Sequence, residues 1–225
     1  WRARAEKVFP GGVVYGHESA RLLPDGYPQY FAKSEGAYLW DVDGNKYLDL
    51  MCAYGPNLLG YSDKRVNEAI VAQLALGDAM TGPSSLMVEL AETMVSMVSH
   101  ADWAMFCKNG TDATTMAMTV ARAQTGRRRI IVAEGAYHGA APWCTPMPAG
   151  VGKEERAFIS TYKYNDIASL EAAVAAAGDD LAGVFATPFR HEAFSDQLLV
   201  DPAYARRARA LCDATDAMLI VDDVR

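Results

Sequence analysis

Arg129-Ile130-Ile131-Val132-Ala133-Glu134-Gly135-Ala136-Tyr137-His138-Gly139 is the stretch on which the fold turns. Four apolar residues follow Arg129 without polar alternation, the pattern of a strand buried on both faces. The run ends in an aromatic residue flanked by glycines. Moving outward, short apolar strands recur at 103–107, 157–161, 181–186 and 218–222. Helical spacing fills about 111–125, 166–177 and 202–214. Strands and helices in alternation predict an α/β fold, a mostly parallel sheet with flanking helices on both faces.

The chain before this region has a different character. Residues 1–29 read as a short helical start followed by an irregular Gly/Pro-containing stretch. A β-hairpin is expected next, because Ala37-Tyr38-Leu39-Trp40 and Tyr47-Leu48-Asp49-Leu50 flank Asp43-Gly44-Asn45, and Asp-Gly is a strong turn signal. Helices are expected at 64–76 and 85–98. In the second, Leu86, Leu90, Met94 and Met97 recur at three and four residues, which predicts a core-facing stripe.

Composition narrows the function classes. The 225 residues are 51% hydrophobic with a formal net charge of −7, so the chain is globular and lacks the basic footprint of a nucleic-acid binder. Its longest apolar runs, such as Ala217-Met218-Leu219-Ile220-Val221, are too short to span a bilayer. Cys52, Cys107, Cys144 and Cys212 are widely spaced and read as buried free thiols. His17, His100, His138 and His191 show no zinc spacing, so no metal is expected. A cytoplasmic location follows by default.

Three segments carry chemistry. In Phe106-Cys107-Lys108-Asn109-Gly110-Thr111-Asp112-Ala113 a strand ends, a glycine turns the chain and a helix begins. Free amides and the helix dipole make such a terminus an anion site, although a plain helix cap explains Asn109 or Thr111 as well. In Glu134–Gly139, Tyr137 lies where α/β sheets bind ligands and could stack on a flat heterocycle; a loop tyrosine packed on its neighbours is the alternative, and His138 alone reads as structural. In Leu219-Ile220-Val221-Asp222-Asp223-Val224, an apolar run ends in a carboxylate that needs a positive partner. A strand terminus feeding an acidic turn explains that segment equally. In this order, a phosphate cradle, a stacking aromatic and a carboxylate for a ring nitrogen match the needs of pyridoxal phosphate, whose electron sink a protonated ring nitrogen strengthens.

With these residues in view, the chain resembles the class III (omega) aminotransferases of pyridoxal-phosphate fold type I, the aspartate aminotransferase-like fold. The resemblance runs through Pro10-Gly11-Gly12, Leu39-Trp40-Asp41-Val42-Asp43-Gly44, Leu59-Gly60-Tyr61, Asn109-Gly110-Thr111-Asp112-Ala113, Tyr137-His138-Gly139 and Val221-Asp222-Asp223-Val224. Val13-Val14-Tyr15-Gly16-His17-Glu18-Ser19, Met105–Gly110 and Ala186-Thr187-Pro188-Phe189-Arg190-His191 are most similar to the fumonisin-deaminating branch. The resemblance implies that Asn109, Gly110 and Thr111 hold the phosphate, that Tyr137 and Val224 cover the two ring faces, and that Asp222 pairs with the ring nitrogen. Tyr15 and Tyr54 are substrate-pocket candidates. It also implies residues 1–62 as a small-domain segment carrying the hairpin, 63–225 as the amino-terminal portion of the large cofactor-binding domain, and a homodimer with interface active sites.

The family's Schiff-base lysine lies downstream of the aspartate, so it is expected beyond Arg225; none of Lys7, Lys33, Lys46, Lys64, Lys108, Lys153 or Lys163 matches it. The chain is therefore expected to be about the first half of a longer polypeptide, truncated on its C-terminal side. Thr187 replaces an acidic residue usual before the proline, and Asp223 a glutamate. After Pro10-Gly11-Gly12 the family tends to carry an arginine for the substrate carboxylate. Here the residues are Val14-Tyr15-Gly16-His17-Glu18, with Arg21 farther along. The expected reaction moves an amino group from an amine lacking a nearby carboxylate to a small 2-oxo acid such as pyruvate, with ping-pong kinetics. The alternatives are an aminomutase of the glutamate-1-semialdehyde type and a non-catalytic fold-type I protein.

Overall fold

A computed structural model describes residues 1–9, 27–190 and 196–224. The chain divides into two compact units, Trp1–Met87 and Val88–Val224.

The first unit opens with α1 (Arg2–Ala5) and builds an antiparallel sheet in the order β1 (Phe31–Glu35), β2 (Tyr38–Asp41), β3 (Lys46–Leu48). The β2–β3 hairpin pairs Leu39 with Tyr47 around the expected turn. Its closure rests on Asp41, whose carboxylate accepts hydrogen bonds from the amides of Asp43 (3.0 Å) and Asn45 (2.8 Å), from Asn45 Nδ2 (2.9 Å) and from the Tyr47 hydroxyl (2.9 Å). A buried carboxylate is tolerated because these donors replace its water. β1, which pairs with β2, was not foreshadowed by the hydrophobic pattern; Phe31-Ala32-Lys33-Ser34-Glu35 becomes a strand through that pairing. The expected helices form as α2 (Lys64–Leu74), capped by the Asp63 carboxylate on Arg65 and Val66 amides, and α3 (Ser85–Met97), of which only residues 85–87 belong to this unit.

The second unit is the α/β region. Its sheet is wholly parallel, with β4 (Arg129–Ala133), β5 (Ile159–Tyr162), β6 (Leu181–Ala186) and β7 (Met218–Val221) in the order β5-β4-β6-β7. Both faces are covered, and neighbouring residues of β4 point to opposite cores. Ile131 and Ala133 pack against α5 (Ile167–Ala177) and α6 (Pro202–Thr215) with Leu170, Val174, Tyr204 and Cys212. Ile130 joins Phe185, Trp143 and Met118 of α4 (Gly110–Thr125) on the other face. A Cβ on Gly183 would lie 2.9 Å from the Met218 carbonyl oxygen of the neighbouring strand β7, so no larger residue fits.

Three expectations are corrected. Residues 103–107 form no strand, because a strand needs a neighbour to take its backbone polar groups and among the described residues none pairs with this segment; Trp103 is 67% exposed. The stripe Leu86, Leu90, Met94 and Met97 is exposed rather than core-facing, Leu90 by 50%. Its helical spacing is real, but nothing among the described residues buries it. Of the cysteines only Cys212, facing the α5/α6 core, is a buried thiol; Cys52 and Cys107 are exposed and Cys144 is half-buried. All four are free.

Candidate active site

Three pieces of the second unit converge at the carboxyl edge of the parallel sheet. The first is the start of α4. Asn109 adopts extended backbone as N-cap, its Oδ1 accepting from the Asp112 amide at 2.9 Å while its Nδ2 donates to Asp112 Oδ2 at 3.0 Å. The cap reading thus describes what the Asn109 side chain does. It leaves the first-turn amides of Gly110 and Thr111 without intrahelical acceptors, at the positive end of a 16-residue helix. Apart from its chain neighbours and its own helix backbone, nothing lies within 4 Å of where a Gly110 Cβ would be, so space is open beside the first residue of the helix.

The second piece is the loop after β4, which threonines strap to α4. The Ala140 amide donates to Thr111 Oγ1 (3.1 Å), Thr114 Oγ1 donates to the His138 carbonyl (2.7 Å), and Trp143 Nε1 donates to Thr115 Oγ1 (3.0 Å). Gly139 makes the close approach possible. Its φ is +121°, and a Cβ there would lie 2.6 Å from Thr111 Oγ1 and 2.9 Å from Thr111 Cα. This explains why a glycine follows Tyr137-His138.

The third piece is the end of β7. The Asp222 amide donates to the Ala186 carbonyl (2.9 Å), extending the β6–β7 ladder by one step. Asp222 Oδ2 lies 2.7 Å from Nδ1 of His138. A carboxylate can only accept, so that imidazole nitrogen is the donor. The His138 side chain is 1% exposed and that of Asp222 9%; the His138 ring also packs against Phe185, 4.9 Å between centroids. The pair on Asp222 uses one carboxylate oxygen, and no other side chain among the described residues bonds to this carboxylate. One step beyond the paired Ala186 and Val221, Thr187 leaves β6 beside Asp222. Its hydroxyl is buried and has no hydrogen-bond partner among the described residues.

Asn109, Gly110, Thr111, Tyr137 and Asp222 are thereby gathered at one end of the sheet. Tyr137, immediately before His138, is 40% exposed, and Val224, two residues past Asp222, is 66% exposed. Tyr15 and Arg21 lie outside the described residues. Tyr54 closes a short 3-10 turn, Cys52–Tyr54, in the first unit, and its side chain lies outside the description. Sequence reasoning missed His138 as the partner of Asp222, and Thr114, Thr187 and Trp143 around it. Only the glycine after His138 carried a signal, since a residue that must be glycine marks a close backbone approach.

A family model described as "Aminotransferase class-III" matches residues 24–225. The chain belongs to the class-III aminotransferases. It is 58% identical over 224 residues to an aminopentol aminotransferase of Sphingopyxis macrogoltabida, covering 100% of this chain and 53% of that protein. The chain thus spans about half the length of the curated relatives it matches. Among solved structures it is similar to the PLP internal aldimine form of the FumI protein of Sphingopyxis sp. MTA144, with a TM-score of 0.96 and 58% identity over 100% of this chain and 54% of that one. It is also similar to an omega-transaminase of Sphaerobacter thermophilus, with a TM-score of 0.87 and 30% identity over 98% of this chain and 53% of that one. The architecture is that of pyridoxal-phosphate fold type I, as the resemblance implies, and its parallel sheet is the one the strand–helix pattern predicts.

Proposed function

We propose that the full-length protein carrying this chain is a pyridoxal-phosphate-dependent aminotransferase, and that these residues form the cofactor's phosphate and ring sites. The observation that carries this reading is the His138–Asp222 pair facing the same sheet edge as the open start of α4. The donor set fits the group. Open amides at a helix N-terminus suit a phosphate monoester, and a mostly buried carboxylate with one side-chain partner among the described residues suits a protonated ring nitrogen.

In this reading the Gly110 and Thr111 amides would hold the phosphate, with the α4 dipole and the Thr111 hydroxyl in support, while the Asn109 side chain caps the helix that presents them. Tyr137 and Val224 cover the ring faces, and Asp222 holds the proton on the ring nitrogen. His138 donates to Asp222 and keeps the carboxylate oriented. The cofactor, when bound, supplies an electron sink for the substrate carbon. A lysine beyond Arg225 is proposed as the covalent attachment point; Lys108, beside the phosphate end, is poorly placed for that role. Tyr15 and Tyr54 are proposed to line the substrate pocket, and a homodimer with interface active sites is proposed as the working assembly.

The proposed donor is an amine without a carboxylate beside the reacting carbon, and the proposed acceptor is a small 2-oxo acid such as pyruvate. The name of the 58% identical relative, aminopentol aminotransferase, supports an amine rather than an amino acid as donor. Incubating the natural full-length protein with pyridoxal phosphate, such an amine and pyruvate should yield alanine. Preference for β-alanine as donor would overturn the donor assignment. Isomerised product without a 2-oxo acid would make the protein an aminomutase.

A further inference from the structure

The strap between α4 and the loop after β4 contains one hydroxyl that does more than close a gap. Thr114 is 8% exposed, and its Oγ1 lies 2.7 Å from the carbonyl oxygen of His138 and 3.2 Å from that of Thr111. One end of this contact belongs to the residue whose ring faces Asp222. The other belongs to the first turn of α4, at the proposed phosphate site. The His138 carbonyl is fixed from the helix side, while its ring is fixed by Asp222 (2.7 Å) and Phe185 (4.9 Å between centroids). Gly139 lies so close to Thr111 that a Cβ there would fall 2.6 Å from Thr111 Oγ1, which holds this part of the loop against the helix.

We propose that Thr114 is a positioning residue that sets His138 against Asp222, locking the phosphate end and the ring-nitrogen end of the site into one rigid unit. The inference rests on the reading of this edge as the pyridoxal-phosphate site. A hydroxyl is required because the His138 carbonyl sits where water does not reach it and needs a donor. Valine has the same shape and no donor, whereas serine keeps the donor. Through His138, loss of that donor reaches the carboxylate and hence the ring nitrogen, in the way second-layer partners tune the groups they orient.

The test uses the natural full-length protein and its Thr114→Val and Thr114→Ser variants. Thr125→Val serves as control, since Thr125 bonds the Ala121 carbonyl at the far end of the same helix. The readouts are the dissociation constant for pyridoxal phosphate and the pH midpoint of the bound cofactor's absorption band. Thr114→Val should weaken cofactor binding by about tenfold and shift the midpoint; Thr114→Ser should restore both, and Thr125→Val should change neither. If Thr114→Val lowers the melting temperature but leaves the midpoint and affinity at wild-type values, Thr114 only supports the fold and the inference falls alone. Should Thr114→Val fail to fold, Thr114→Ser decides by itself, because a serine variant that folds yet shows a displaced midpoint contradicts a role carried by the hydroxyl. Wild-type protein that takes up no pyridoxal phosphate would overturn the underlying reading, and this inference with it.

Discussion

The two faces of the parallel sheet are built from similar strands to different ends. On the α5/α6 face the polar groups are used up internally: Tyr162 donates to the Phe185 carbonyl and meets the Tyr204 hydroxyl at 2.5 Å, among Leu170, Val174 and Cys212. On the α4 face Trp143 and Phe185 make a smaller core. Toward the carboxyl edge it gives way to Thr114, His138, Thr187 and Asp222, with one buried hydroxyl and one carboxylate oxygen that bond to no side chain among the described residues. A face that only holds the fold closes its own hydrogen bonds. The other face keeps polar capacity that the proposed cofactor would complete.

Substitutions on the two faces should therefore separate stability from binding. The largest effect belongs to Asp222→Asn, which should lower amino transfer by about a thousandfold while shifting the melting temperature little; a melting loss as large as that of a core truncation would erase the contrast. Next comes Leu170→Ala on the α5/α6 face, expected to remove about 3 kcal/mol of stability in urea unfolding with cofactor affinity retained. Gly139→Ala should cost about 2 kcal/mol through its clash with Thr111. Unlike the Leu170 variant, it should also lose the cofactor in equilibrium dialysis.

A smaller effect is expected from alkali. Burial pushes the Cys212 thiol up to about 11 and the Tyr204 hydroxyl up to about 12, and raises Tyr162 as well. The folded values lie above the unfolded ones, 9.0 for cysteine and 10.0 for tyrosine. The stabilisation these groups give is thus complete below pH 9 and is lost as pH climbs toward 11 and 12. Tyrosinate absorbance and near-ultraviolet circular dichroism should change together over that range. Phenylalanine at position 204 should move the step to higher pH.

Much of this was legible in the sequence because it is local. The bounds of β4 and β6 follow from apolar runs, and those of α4, α5 and α6, to within a residue, from helical spacing. What was misread depends on partners. Among the described residues, the segment 103–107 has strand-like composition but no ladder, and the α3 stripe has helical spacing but no cover. The His138–Asp222 pair joins residues 84 apart. It arises only when β7 registers with β6 and Gly139 lets the loop fold onto Thr111, and neither condition is written in either short motif. Asp222 was picked out because a carboxylate ending an apolar run needs a partner, but that partner could not be named from the run itself.

The central claim is that Asp222, held by His138, keeps the proton on the ring nitrogen of bound pyridoxal phosphate. Nitrogen-15 NMR of ring-labelled pyridoxal phosphate on the natural full-length protein tests it directly. The wild-type protein should give a pyridinium shift and Asp222→Asn a neutral pyridine shift. The same shift in both proteins would contradict the account.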